Sequence, residues 1–271
     1  MLFDYHFIFS DFCPSVPLLR SSMPIANTLT SPTQRARDLG LPMPGTPGPL
    51  NAITDVKGVE VGFTTKIIDG PAVVRTGVTA ILPRPRDDLL NPVWAGNFSL
   101  NGNGEMTGTH WINDAGWFTG PITITNTHSL GVAHHATIRW MTSRFRDTVE
   151  RHNLWLLPVA AETYDGWLND IYGQHVREED VLAAIDSASG GPVAEGCVGG
   201  GTGMIAYEYK GGTGSSSRRV RLAGQDYTVG VLVQANHGLR PWLTVCGRNI
   251  GARAENAVPW MNERGSIIVI V

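Results

Sequence analysis

The sequence predicts a layered domain of mixed α and β structure. Three observations carry this expectation. Short β-branched runs bounded by turn residues recur along the chain, two segments with helical spacing interrupt them, and neither a linker nor an internal repeat divides the whole. With 271 residues and 42% hydrophobic content there is enough apolar material for one large core. The 32 glycines and 17 prolines are spread along the length, so they read as turns between many short elements.

Taken in order, the first 22 residues, MLFDYHFIFSDFCPSVPLLRSS, are aromatic-rich. Asp4 and Asp11 interrupt them and no Lys or Arg precedes Arg20, so they lack the positive start and unbroken apolar stretch of a secretory signal. Met23 is expected to be the natural start, with 1–22 an extension outside the fold and 23–271 the domain. From Arg35 to Val61 the density of Gly and Pro predicts an ordered loop leading into a strand at Val59 to Thr64. Thr76 to Leu82 and Pro121 to Thr125 read as strands, with NGNGEMTG at Asn101 to Gly108 as a Gly/Asn turn between them. His134 to Arg151 is the first expected helix, because Ile138, Met141, Phe145 and Val149 recur at helical spacing.

Trp155 to Ala161 reads as a short apolar strand, and Glu178 to Ser187 as a second helix whose acidic start suits the positive end of its dipole. Beyond it, Met204 to Lys210, Tyr227 to Gln234 and the terminal SIIVIV read as strands. The last two are continuous apolar runs of the sort buried on both faces. Because the chain stops at Val271 inside such a run, the neighbours of that strand are expected to come from another polypeptide or from residues beyond Val271.

Composition excludes several function classes. A net charge of -3 with 17% charged residues offers no concentrated basic face for nucleic acid, and a small, roughly neutral partner is expected. No apolar stretch reaches the roughly 18 to 20 residues of a membrane helix. Cys13, Cys197 and Cys246 form no CxxC and have no His at zinc-ligand spacing, so neither a disulfide framework, a metal nor another cofactor is called for. A reducing, cytoplasmic setting fits. There is no GxSxG elbow, HExxH or Walker loop, and GGGTGM at Gly199 to Met204 lacks the lysine of a phosphate loop, leaving a structural turn. His134 and His135 are adjacent and point to different sides, as a surface pair does.

The informative unit is a set of motifs in a fixed order: RARDLGLP and GPLNAITDVKGVEVG near the start, then AETYDGWLNDIYG, VAEGCVGGGTGM, VLVQANHG and ERGSIIVIV. From about Arg35 to the end these resemble the serine peptidase family that contains the L-aminopeptidase/D-amidase/esterase and the β-peptidyl aminopeptidases. The resemblance implies a four-layer αββα sandwich with the active site at its edge. It also implies a precursor that cuts its own backbone between Gly265 and Ser266, so that an α subunit ends at 265 and a β subunit begins at 266.

The chemistry accounts for those residue types. Attack of the Ser266 hydroxyl on the Gly265 carbonyl moves the acyl group from nitrogen to oxygen, and water then releases the weaker ester. Glycine before the serine puts no Cβ on the bend. The freed α-amine, with an unperturbed pKa of about 7.7 to 8.0, suits a general base near neutral pH, so one residue supplies nucleophile and base. On the same resemblance Asn236 faces the developing oxyanion, a donor worth roughly 3 to 4 kcal/mol. Tyr164 stands beside the nucleophile as a second donor, Glu162 holds the substrate's ammonium group, and Trp155 walls the substrate pocket. Plainer readings exist for each: Trp155 as core packing, Tyr164 and Glu162 as surface residues, Asn236 as a turn residue, and Ser266 as an ordinary serine after a glycine. The surrounding motifs tip the balance toward function.

The implied substrates are small peptides, amides or esters that lose an N-terminal residue. The implied partners are the chain's own C-terminal segment and further copies in a homo-oligomer of processed pairs. Because the family continues past the nucleophile, and carries active-site serine and acidic residues there, the 271 residues alone are expected to be truncated and inactive. Two rivals remain: an ornithine acetyltransferase-like acyl transferase, against which serine at 266 argues, and a non-catalytic fragment or subunit.

Overall fold

In a computed structural model the described residues are 35–253 and 265–271. The expected extension 1–22, the start at Met23 and Cys13 lie outside them.

The β-branched runs pair into the first sheet. It contains β1 (Glu60–Ile68), β2 (Val74–Leu82), β3 (Ile122–Asn126) and β4 (Val159–Thr163), in the order β1-β2-β3-β4. The first two contacts are antiparallel and β3 to β4 is parallel. A parallel neighbour needs a crossover, and the helices α1 (Leu130–Arg144) and α2 (Arg146–Arg151) make it. The single helix expected from His134 to Arg151 is thus two, broken at Phe145 with φ -117 and ψ 23. It also starts four residues earlier, after Asn126 Oδ1 accepts the backbone N–H of Ser129 at 3.0 Å. The strand expected from Trp155 begins only at Val159, because Pro158 has no N–H to give a ladder. Helix α3 (Glu178–Asp186) lies where it was expected.

Met204 to Lys210 is a hairpin, not one strand. Its arms β5 (Ile205–Ala206) and β6 (Tyr209–Lys210) are joined by Tyr207 and Glu208, both at positive φ (51 and 60). The second sheet is antiparallel and follows: β7 (Gly212–Leu222), β8 (Gln225–Asn236) and β9 (Ser266–Ile270), in the order β9-β8-β7.

Alternation along these strands sorts the core into two bodies. Val78, Ala80 and Leu82 of β2 pack on Ala133, Ala136 and Met141 of α1 and on Val181, Ala184 and Ile185 of α3. From the opposite face Ile81, Ile122, Ile124, Val159 and Ala161 meet Leu232 of β8 with Ile268 and Ile270 of β9. Helices, first sheet and second sheet are therefore three successive layers of the expected sandwich. Between the sheets Gln234 is fully buried and ties them, donating to the Thr163 hydroxyl at 2.7 Å and the Thr125 carbonyl at 3.3 Å. The GGGTG turn, a 3-10 helix at Gly199–Gly203, is packed there too. A Cβ on Gly200 would sit 2.7 Å from the Ile124 carbonyl and one on Gly203 2.8 Å from Cβ of Asp165, so close approach explains the glycines.

Among the described residues β8 and β9 are covered only on the face toward the first sheet, while Val229, Ile267 and Val269 on the other are exposed. Among the described residues β9 lies at the edge of the second sheet.

Candidate functional site

The short run SIIVI has every property of a strand, and it finds its partner in the apolar end of β8. In the antiparallel register Leu232 faces Ile270, Gln234 faces Ile268 and Asn236 faces Ser266. Directly opposed residues project from the same face, so Ser266 and Asn236 stand side by side at the rim between the sheets. Asn236 is 5% exposed and its amide is held at both ends. Its oxygen accepts from Ile205 N–H at 2.9 Å, and its Nδ2 donates to the Tyr164 carbonyl at 2.8 Å. The sequence-named Ser266, Asn236 and Tyr164 thus meet, the last through its backbone.

Immediately before the strand, Gly265 lies against the turn of β8. A Cβ there would overlap the Asn236 carbonyl oxygen and lie 2.6 Å from Cα of His237. No other residue type fits this position without displacement. The steric reason for glycine is thus close backbone contact with the QANHG turn, in addition to any bend.

Tyr164 follows β4 and is partly exposed, with its ring folded over Gly166 and its hydroxyl bonded to Tyr172. Burial, then the neighbouring Tyr172 and Asp165, push its phenol above the usual range. It therefore stays protonated and able to donate. Next to it Asp165 is buried in a polar nest with Thr76, Asn126 and Asn169, and its Oδ2 has no hydrogen-bond partner. Desolvation outweighs those hydrogen bonds and raises its carboxyl to about 6.

Glu162 is buried, so it is not a surface residue. Alternation in β4 turns Thr163 toward the second sheet, as its bond with Gln234 requires, and Glu162 the other way. Its carboxylate accepts from the Glu105 N–H at 2.9 Å and from the Thr127 hydroxyl. Among the described residues no cation pairs with it. Trp155 is 70% exposed, so it is not core packing. Its indole meets Trp111 edge-on at 5.1 Å, and Trp111 meets Trp117 edge-on at 4.9 Å, forming a three-ring aromatic cluster.

One polar residue at the rim went unrecognised in the sequence. The segment NGNGEMTG does not merely turn; it runs along the open edge of β4. Met106 bridges Ala161, Thr107 N–H donates to the Ala160 carbonyl at 2.9 Å, and the Thr107 hydroxyl accepts from Ala160 N–H at 2.8 Å. At its tip Asn103 Nδ2 donates to the Gly265 carbonyl oxygen at 3.0 Å. A Gly/Asn run reads as a turn in any sequence, and only the fold brings it to the peptide bond before Ser266.

The family model described as peptidase family S58 matches residues 51–271. The β-peptidyl aminopeptidase BapA of Sphingosinicella microcystinivorans is 51% identical over 241 residues, covering 87% of this chain and 59% of that protein. BapA of Sphingosinicella xenopeptidilytica is 49% identical over 255 residues, covering 92% and 63%. The chain therefore spans about three fifths of the length of these relatives. Among solved structures, the L-aminopeptidase D-Ala-esterase/amidase of Ochrobactrum anthropi, described as a variant of the Ntn hydrolase fold, superposes with a TM-score of 0.82 at 55% identity, over 87% of this chain and 66% of that one. A β-aminopeptidase of Burkholderia sp. gives 0.79 at 47% identity, over 87% and 65%. A family model spanning most of the chain, relatives near half identity and a shared fold converge: the chain belongs to peptidase family S58.

Proposed function

We propose that this chain is the part of a self-cleaving aminopeptidase that carries its nucleophile, with Ser266 released by scission of the Gly265 peptide bond. One observation carries the reading: a Gly-Ser bond lies at the rim between the sheets, with Asn236 beside the serine and an amide donor on the glycine carbonyl. The Ser266 hydroxyl oxygen bonds to the Gly265 carbonyl carbon and the carbonyl electron pair moves to its oxygen. Collapse breaks the C–N bond, the hydroxyl proton passes to the leaving nitrogen, and water hydrolyses the ester. In turnover the free amine of Ser266 takes the hydroxyl proton while that oxygen attacks a substrate carbonyl. The second Nδ2 proton of Asn236 and, once released from Tyr172, the Tyr164 hydroxyl would donate to the new oxyanion.

The substrate class is a small peptide, amide or ester with a free amine. The activities for which the relatives are named support this, as does the buried carboxylate of Glu162, which pairs with no cation among the described residues. Trp155 contributes an exposed aromatic surface to the substrate side. The α part runs to 265 and the β part starts at 266, the rest of it being the partner segment, and processed pairs assemble into a homo-oligomer. No helix among the described residues is long and apolar enough to cross a membrane. Cys197 and Cys246 are free thiols, which supports a reducing, cytoplasmic setting.

The test is intact mass spectrometry and peptidase assay of the full-length precursor with and without Ser266→Ala. Wild type is expected to split between 265 and 266 and turn over substrate, and the variant to do neither. Processing or turnover that survives Ser266→Ala rejects the nucleophile assignment.

A further inference from the structure

The donor on the scissile carbonyl is the side chain that the mechanism above leaves without a role. We propose that Asn103 is a catalytic residue of the self-cleavage step, its amide stabilising the negative charge that develops on the Gly265 oxygen. This rests on the self-cleavage reading, and it adds a residue from a different part of the chain.

Three features support it. First, Asn103 Nδ2 lies 3.0 Å from the Gly265 oxygen, the atom that receives the carbonyl electron pair when Ser266 attacks. A donor already on the ground-state oxygen polarises the carbonyl, and its bond strengthens as that oxygen becomes an anion. Second, the donor is held in place. Asn103 N–H donates to Asn101 Oδ1 at 2.9 Å, and Ser99 Oγ donates to the Asn101 carbonyl at 2.7 Å. Further along, Glu105, Met106 and Thr107 are fastened to β4. Third, the other amide at the rim is partly committed, because Asn236 uses one Nδ2 proton on the Tyr164 carbonyl. Asn236 reaches the site from the second sheet and Asn103 from the edge of the first, and of the two it is Asn103 whose amide is on the Gly265 carbonyl.

The balance of the step is unchanged by this assignment. The Oγ–C bond forms, the C–N bond breaks, the serine proton ends on the Ser266 nitrogen, and Asn103 keeps its protons throughout. Its donor is exposed, so its effect is smaller than that of a buried oxyanion donor, whose removal costs about 100- to 1,000-fold. The expected loss on removing it is about 10- to 100-fold in the rate of self-cleavage.

The experiment follows cleavage at the 265–266 bond over time, by intact mass, in full-length precursors made by cell-free synthesis. Wild type, Ser266→Ala, Asn103→Ala, Asn103→Asp and Asn103→Gln are compared, each with a thermal melt. Asn103→Ala is expected to cleave about 10- to 100-fold more slowly with an unchanged melt. Asn103→Asp, the same size but with a carboxylate facing the oxyanion, is expected to be slower still, and Asn103→Gln, which keeps the amide, faster than either. Cleavage of both Asn103→Ala and Asn103→Asp within twofold of wild type overturns the proposal. So does slowing that tracks a lowered melting temperature equally in all three variants. If wild type itself stays whole, the self-cleavage reading fails first, and that outcome is distinct from the failure of Asn103 alone.

Discussion

Replacing Gly265 by alanine tests the geometry before the nucleophile with a single methyl group. The added Cβ would overlap the Asn236 carbonyl oxygen, lie 2.6 Å from Cα of His237 and lie 3.1 Å from its Cβ. The first two obstacles are backbone, in a turn fixed by the ladder between β8 and β9 and by the Tyr207 N–H bond to the His237 carbonyl at 2.8 Å. Relief therefore requires the segment before Ser266 to move by about 1 Å, a strain of roughly 1 to 3 kcal/mol for overpacking. That shift carries the Gly265 carbonyl away from the 3.0 Å contact with Asn103 and changes the approach of the Ser266 hydroxyl. A misplacement of about 1 Å at a reacting centre costs on the order of 100-fold in rate. The prediction for Gly265→Ala in the full-length precursor is self-cleavage slowed about 100-fold, with the thermal melt lowered by only a few degrees. The assay is intact mass against time at constant pH and temperature. Cleavage at an undiminished rate would mean that the close contact at Gly265 has no bearing on the reaction.

Glu162→Gln keeps an acceptor for Glu105 N–H, and the Thr127 hydroxyl can rotate to suit the new amide, so folding and self-cleavage should survive. Loss of the charge should lower kcat/KM for substrates with a free amine about 10- to 100-fold, an amount typical of a charge-assisted hydrogen bond, and spare N-acetylated analogues. Equal losses on both substrate types would show that Glu162 serves the fold alone. Asp165 bears on stability against pH. Its carboxyl is raised to about 6 from 3.8, so the fold prefers the protonated acid. That preference is fully present below about pH 4 and is lost as pH rises through about 6, a difference of about 3 kcal/mol. Asp165→Asn should therefore gain stability relative to wild type between pH 4 and 7 in urea unfolding; a difference between the two proteins that does not change with pH would refute this.

Much of the fold was readable because its strands announce themselves. TGVTAIL, PITIT and SIIVIV combine β-branching with turn boundaries, and the acidic start of α3 marks a helix end. The failures have specific causes. Helix α1 buries Ala133, Ala136 and Thr137, small residues that leave little periodic apolar signal, so its first turn was missed. Strand β7 reads GTGSSSRRVRL and shows no apolar alternation at all. Its inward side chains are hydrogen-bonding, with the Ser215 hydroxyl donating to the Val231 carbonyl at 2.8 Å and that of Ser217 to Asp55 at 2.6 Å. At the site, motif order pointed to Ser266, Asn236, Tyr164 and Glu162. Motif order says nothing of which way a side chain turns, and so it could not show that Glu162 points away from the second sheet. Asn103 was invisible for a related reason: its partner, the Gly265 carbonyl, is a backbone atom far along the chain and has no signature of its own.

The position of the Gly-Ser bond at the very start of β9 has a consequence for the product of cleavage. Hydrolysis there would sever the covalent chain, yet Ser266 would remain the first rung of a five-residue ladder with β8. The new terminus would not diffuse away and would need no search to return. The reaction that creates the nucleophile would leave it already docked, and the two polypeptides would travel as one body until the sheet itself comes apart.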